Sequence, residues 1–414
     1  MKEQILSNLD HPDQLEKLYR TDKSGFRRSF NTLYPELKDH TLASFWNARL
    51  NYAKDEISWG NSKDLLFVVI ASLIAAFIAK LPAILSLDEE PYYMRNAGFI
   101  VLPALIAWFA WKNKLSLNKT AFIIGSILLA VFYINFLPQG TTSDTLILSC
   151  LHLPIILWSL LGFAFVGEAG NQVDKRLGFL KYNGDLLVMT ALIVIAAGIL
   201  SAITNGLFSL IGINIEKFYF QYIIIGGLPA APILGTYLTQ TNPQLVGKVS
   251  PVIARIFSPI VLVMLVIYLV AIIYSGKDPY NDREFLLLFN ALLAGVMAII
   301  FFSVAESSKK ERNVAETYIL LLLSIVTILV NGIALSAILF RISAWGFTPN
   351  RTAILGSNVL MLGNLLLVTA QLFKMLSKKT DIDGVGKAIS RYLPLYFAWA
   401  VIVTFLFPVL FGFK

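Results

Sequence analysis

An all-α fold, a polytopic bundle of transmembrane helices behind a small helical segment, is what this sequence predicts, and three observations carry it. Of the 414 residues, 57% are hydrophobic and 14% charged, against about 25% charged in a soluble domain. The apolar residues come in runs of roughly 20, the length that crosses a hydrocarbon core. Lys and Arg alternate between rich and poor in the gaps between those runs. This composition excludes a soluble enzyme and a disordered chain. The single cysteine, Cys150, excludes an intrachain disulfide.

Residues 1–64 read as a cytosolic amphipathic segment, and residues 65–414 as the transmembrane bundle. The first 64 residues hold ten Lys/Arg and ten Asp/Glu and lack the apolar core of a secretory signal. Leu15, Leu18 and Tyr19 share one helical face. Phe26, Phe30, Leu33 and Tyr34 share another, and Leu42, Phe45, Trp46 and Leu50 a third. Pro12 suits a first turn, and Ser24 and Thr41 are placed to cap helices. Such a segment either packs on itself or docks a cytosolic protein partner. Phe26, Arg27, Arg28 and Phe30 would also suit anionic headgroups.

Beyond Asp64, eleven spans are predicted, at about 65–85, 96–111, 120–137, 145–166, 185–212, 218–238, 252–274, 284–305, 315–340, 352–376 and 391–411. The second and third are short enough to be interfacial or tilted. The N-terminal segment and the even-numbered gaps hold 26 Lys/Arg, and the other side 8. The positive-inside rule then puts the N-terminus in the cytoplasm and the C-terminus outside.

The usual catalytic and metal signatures are missing. There is no Walker motif, G-x-S-x-G or H-E-x-x-H. His11, His40 and His152 with Cys150 make too poor a set for a metal, and no cofactor is expected. Nucleic acid is not an expected partner; the lipid bilayer is. Lys80, Glu168, Arg255 and Glu306 fall near span ends, where long side chains reach water, and no carboxylate is expected near a midplane. The interior polar residues are neutral: Asn135, His152, Asn205, Gln221, Asn290, Asn331, Asn358, Asn364 and Gln371. They bond between helices or line a cavity, with Asn331 and Asn358 the candidates for a lining.

Two sets of residues suggest sites. In the sixth span Gly226 and Gly227 precede Pro229 and Pro232, and in the seventh Pro259 follows Ser258. Such interruptions occur where transporters build sites, and also as plain kinks. Outside, one loop reads Lys277 to Glu284 and includes Asp282 and Arg283. The next runs from Arg341 through Trp345, Gly346, Phe347, Thr348, Pro349 and Asn350 to Arg351. Thr348 and Pro349 can start the tenth span, Gly346 can stop the ninth, and Arg341 can complement that helix's dipole. That leaves two guanidiniums around a Trp and a Phe, a set able to hold a phosphate, a carboxylate or an anionic lipid headgroup, or to pair with Asp282 and Glu284.

The run Arg341-Ile342-Ser343-Ala344-Trp345-Gly346-Phe347-Thr348-Pro349-Asn350-Arg351, leading into an apolar helix, resembles the signature of the bacterial family called domain of unknown function 4153. The stretch Pro279-Tyr280-Asn281-Asp282-Arg283-Glu284 is also similar to members from Bacteroidota. The resemblance covers about residues 65–411. It implies a polytopic inner-membrane protein of permease type and transfers no catalytic residue. Three functions compete: a permease for a small or amphiphilic solute, a non-catalytic scaffold or sensor with a docking segment, and an enzyme acting on a lipid or glycan outside. The absence of an obvious base near the arginines counts against the enzyme.

Overall fold

In the computed structural model, the described residues are 2–38, 40–51, 61–138, 143–169, 173–210, 215–243, 258–259, 261–263, 265–266, 269–270, 280, 283–307, 314–377 and 382–413. Among them every regular element is a helix. The chain forms two compact units, Met1–Ser58 and Trp59–Lys414.

The first unit holds α1 (Lys2–Ser7), α2 (Pro12–Thr21), α3 (Lys23–Leu33), a 3-10 turn at Tyr34–Glu36, and α4 (Thr41–Asn51). Pro12 opens α2. The cap of α3 is Asp22 rather than Ser24: its carboxylate accepts the Gly25 N–H at 2.9 Å, and Ser24 is the second residue of the helix. Thr41 is the first residue of α4, not its cap. The predicted apolar faces meet in one core, where Ile5, Leu15, Phe26, Phe30, Trp46 and Leu50 are buried, but Phe45 of the third face is exposed. Arg49 stacks over Tyr19 and Trp46 and pairs with Glu16 at 2.9 Å.

The second unit begins with α5 (Ser62–Leu85), α6 (Glu89–Lys112), α7 (Leu117–Phe136), α8 (Asp144–Val166) and α9 (Val173–Leu210). A broken span follows, with α10 (Glu216–Gly227) and α11 (Ala230–Thr241) bent by 41°. The remaining helices are α12 (Arg283–Ser307), α13 (Val314–Trp345), α14 (Pro349–Leu376) and α15 (Ile382–Leu410). Among the described residues, eight helices are long and apolar enough to cross a membrane, and nine spans result if the bent pair is one. The second and third predicted spans are full-length helices of 24 and 20 residues. Most of the predicted seventh span lies outside the described residues.

Large apolar side chains such as Leu73, Phe77, Phe122, Leu128, Phe132 and Leu151 are exposed on the outer faces. Water would not tolerate that much apolar surface, and lipid does. The molecule is an integral, multi-pass membrane protein.

Backbone groups at helix ends and prolines need partners inside such a bundle, and neighbouring helices supply them. Pro82 leaves the Ile78 carbonyl without its helical donor, and the Tyr92 hydroxyl donates to it at 2.7 Å. Pro408 does the same to Thr404, whose carbonyl accepts from Ser149 at 2.9 Å. Pro394 frees Ser390, which accepts from Arg176 at 3.4 Å. Asn113 donates to the last carbonyls of α8, at Ala164 and Phe165.

The helix α7 is capped by its neighbours at both ends. Glu168 accepts the Ser116 N–H at 2.7 Å and pairs with Lys119 at 3.1 Å. Those contacts, the Ser116 amide first, hold its carboxyl below the usual range. At the other end Arg95 is buried and donates to the carbonyls of Ile134, Asn135 and Leu137. Arg95, just ahead of the second span predicted at about 96–111, is inside α6, where a buried guanidinium is tolerable because carbonyl oxygens surround it.

Candidate functional site

The external loop residues come together in part. Gly346 has φ +76° and ends α13, while Thr348 caps α14 by accepting the Arg351 N–H at 3.3 Å, with Pro349 next. Both guanidiniums lie by the same indole, Arg341 at 5.7 Å and Arg351 at 5.6 Å from the Trp345 ring centre. Their roles differ from the expectation. Arg351, not Arg341, completes the end of α13: its Nη1 donates to the Trp345 and Gly346 carbonyls at 2.9 and 2.8 Å. Arg341 is buried, and its Nε donates to the Tyr280 carbonyl at 2.7 Å. The dipole of α13 is thus met by a cation from the following helix, because the αL turn at Gly346 folds the start of α14 back over it.

Trp345 and Phe347 are exposed, and Asn350 is half-buried. Asp282 lies outside the described residues, and so do the side chains of Arg283 and Glu284, which begin α12. Each guanidinium is thus engaged with backbone oxygen.

The broken span packs against α5 and α9. Gly226 and Gly227 lie in the last turn of α10, and a Cβ on Gly226 would only brush Ala76. Pro229 is buried at the break, and the half-buried Pro232 gives its carbonyl to the Thr236 hydroxyl at 2.9 Å. Thr236 in turn pairs with Tyr182 at 2.8 Å. Phe218, Phe220, Tyr222 and Leu228 are exposed, so the outside of the bend faces lipid. Pro259 is half-buried next to Ser258, which meets Ser303 at 2.9 Å.

The interior amides separate into two groups. Asn135 and Asn96 exchange hydrogen bonds at 2.9 and 3.0 Å, and Asn205 bonds to its own helix at Ser201. The Asn135–Asn96 pair is a satisfied packing contact, while Asn205 keeps its Oδ1 without a partner. Between α13, α14 and α15 the situation is different. On α13, Ser324, Thr327 and Asn331 recur at helical spacing and all are fully buried; on α14, Asn358 and Asn364 are as well. Thr369 donates to Ser324 at 3.0 Å, Asn364 to Tyr396 at 3.2 Å, and Trp399 to Ser357 at 3.0 Å. Asn331 donates to the Asn358 main-chain carbonyl at 3.2 Å.

Four side-chain atoms of this seam are buried without a hydrogen-bond partner: Asn331 Oδ1, Asn358 Oδ1, Asn358 Nδ2 and Asn364 Oδ1. Each unpaired buried group costs about 1–3 kcal/mol. No ionisable acid or base interrupts residues 317–340 of α13 or 352–373 of α14. The arrangement is an uncharged polar strip, deep in two spans, with hydrogen-bonding capacity to spare.

Sequence reading singled out Asn331 and Asn358 but not their alignment, nor Gly356 and Gly363. A Cβ on Gly356 would overlap the Trp399 ring, and one on Gly363 would sit 2.6 Å from the Tyr392 hydroxyl. Both pairs are seven residues apart along their helices, so the spacing was a signal available in advance. No family model, curated relative or solved structure matches the chain.

Proposed function

We propose that this protein is a permease of the bacterial inner membrane that passes a small polar solute along the seam between α13, α14 and α15. The observation that carries the reading is the pair Asn331 and Asn358, fully buried and partly unpartnered. A lipid-embedded bundle gains nothing in stability from spare amide atoms, so a passing guest accounts for them. The resemblance of Arg341–Arg351 to the domain of unknown function 4153 family supports the same reading.

Eleven crossings complete the proposal, with the N-terminus cytoplasmic and the C-terminus periplasmic. Asp64 pairs with Lys112 and Arg176 meets Ser390, which groups those ends of α5, α6, α9 and α15 at one end of the bundle. Ser143 donates to the Phe413 carbonyl, which puts the start of α8 and the C-terminus at the opposite end. A chain entering at α5 and finishing there crosses an odd number of times. Reporter fusions after Leu115 and Lys379 should then read cytoplasmic, and those after Ser143 and Lys414 external; a cytoplasmic Lys414 fusion overturns this topology.

The transport reading is tested by flux into proteoliposomes of the purified chain, with Asn358→Leu as the control. A panel of polyols, amino acids and ions in which none enters faster than into empty vesicles would sink it. A second reading, docking of a cytosolic protein on residues 1–58, is favoured by Phe45, which is 72% exposed while Phe26, Phe30 and Trp46 of the same unit are buried. Phe45→Glu should abolish co-purification of such a partner without unfolding the unit.

A further inference from the structure

We infer that the Asn331–Asn358 locus is a receptor for an uncharged hydroxyl group, and that the solute class is small, neutral and hydroxylated rather than ionic; the second half rests on the permease reading above. The orientation of the Asn331 amide follows from its partner. The Asn358 main-chain carbonyl can only accept, so the Asn331 atom facing it at 3.2 Å is the NH2. Its Oδ1 is therefore the unpartnered atom, an acceptor. The Asn358 side chain is unpartnered at both Oδ1 and Nδ2, whichever way its amide is turned. The locus thus asks for two donors and one acceptor.

Three guests can be compared with that demand. An anion only accepts: it would satisfy Nδ2 and face two oxygens of its own sign. A metal cation would suit the two oxygens but meet the N–H of Asn358. No carboxylate on the flanking stretches of α13 and α14 would offset its dehydration. A hydroxyl both donates and accepts, and a water molecule donates twice, which matches the demand. The strip continues in the same chemistry: Ser324 and Thr327 precede Asn331 on α13, and Asn364, with Oδ1 unpartnered, follows Asn358 on α14. A hydroxylated guest leaving one amide would find the next. Water in the resting state and a solute hydroxyl during passage share this chemistry.

Thermal unfolding of the full chain in nanodiscs, and shrinkage of proteoliposomes under glycerol, potassium or phosphate gradients, separate the possibilities. If a hydroxyl occupies the locus, Asn358→Leu removes the guest's partners and lowers Tm. If the locus is empty, the same change deletes two unpaired polar atoms and raises Tm, which overturns the inference. Should the Leu variant fail to fold, the comparison moves to Asn358→Ser against Asn358→Ala: Ser above Ala supports a guest, and Ser equal to or below Ala refutes it. In the flux arm, glycerol should equilibrate at least tenfold faster than in empty vesicles and lose that advantage in Asn358→Leu. Passage of potassium or phosphate without glycerol overturns the solute class and leaves the permease reading standing. A fall in Tm with no flux of any probe means water alone is held there: the receptor stands and the permease reading falls.

Discussion

The indole of Trp399 lies against the backbone of Gly356, so close that a Cβ at position 356 would fall within the ring. The ring's N–H donates to the Ser357 hydroxyl at 3.0 Å. Seven residues on, Gly363 receives Tyr392 in the same way. Helices in lipid have little hydrophobic drive to associate, so close approach at small residues and side-chain hydrogen bonds do that work. The contact keeps α15 tight against the polar seam.

Gly356→Ala should therefore destabilise the bundle, by about 1–3 kcal/mol for an overpacked core position. The ring cannot retreat without losing Ser357. Pairing the change with Trp399→Leu should recover part of the loss, as a double-mutant cycle on thermal unfolding would register; strictly additive effects would show that the two residues do not share the space.

Tyr92 and Pro82 form a second testable pair. Tyr92→Phe leaves the Ile78 carbonyl, freed by Pro82, with no donor, at a cost of about 1–3 kcal/mol. Pro82→Ala restores a backbone N–H at that position. In its background Tyr92→Phe should cost far less, and denaturation of the four variants would reveal an equal cost as failure of the assignment.

Arg351 acts as a helix terminator supplied by the next helix. Arg351→Ala should raise hydrogen exchange over residues 345–349, since it strips two carbonyls of charged donors worth about 1.5–3 kcal/mol each. Arg351→Lys keeps a charge able to reach both and should protect the turn nearly as well. If the Lys variant exchanges as fast as the Ala variant, the planar guanidinium is needed for something other than this cap.

The first unit should be sensitive to acid at Glu16. The hydrogen bond from Arg20, then that from Arg49, holds this carboxyl below its ordinary value against an opposing desolvation. A depressed folded pKa contributes stability above the unfolded value, about 4.3, and that contribution vanishes as pH falls through the folded pKa. Protection of α2 and α4 amides, corrected for intrinsic exchange, should drop between pH 6 and pH 3 in the native chain, and Glu16→Gln should flatten the response. An unchanged profile in the variant would assign the acid sensitivity elsewhere.

The sequence alone determined that this chain lies in lipid and where most helices run, because a 20-residue apolar run has one stable solution in a membrane. It also determined the local grammar of the Gly346–Thr348–Pro349 turn, whose backbone requirements are met within a few residues. What needed tertiary structure was every interaction that depends on which helix lies beside which. Arg95, just ahead of the predicted second span, shows its partners only once the carbonyl end of α7 is beside it, and Arg351 shows its hold on the end of α13 only once α14 folds back over it. Asn331 and Asn358 are two ordinary polar residues until α13 and α14 bring them together. Helices that are apolar all round carry little record of their neighbours, since lipid and protein reward the same side chains. The partners of polar groups are therefore settled only by packing.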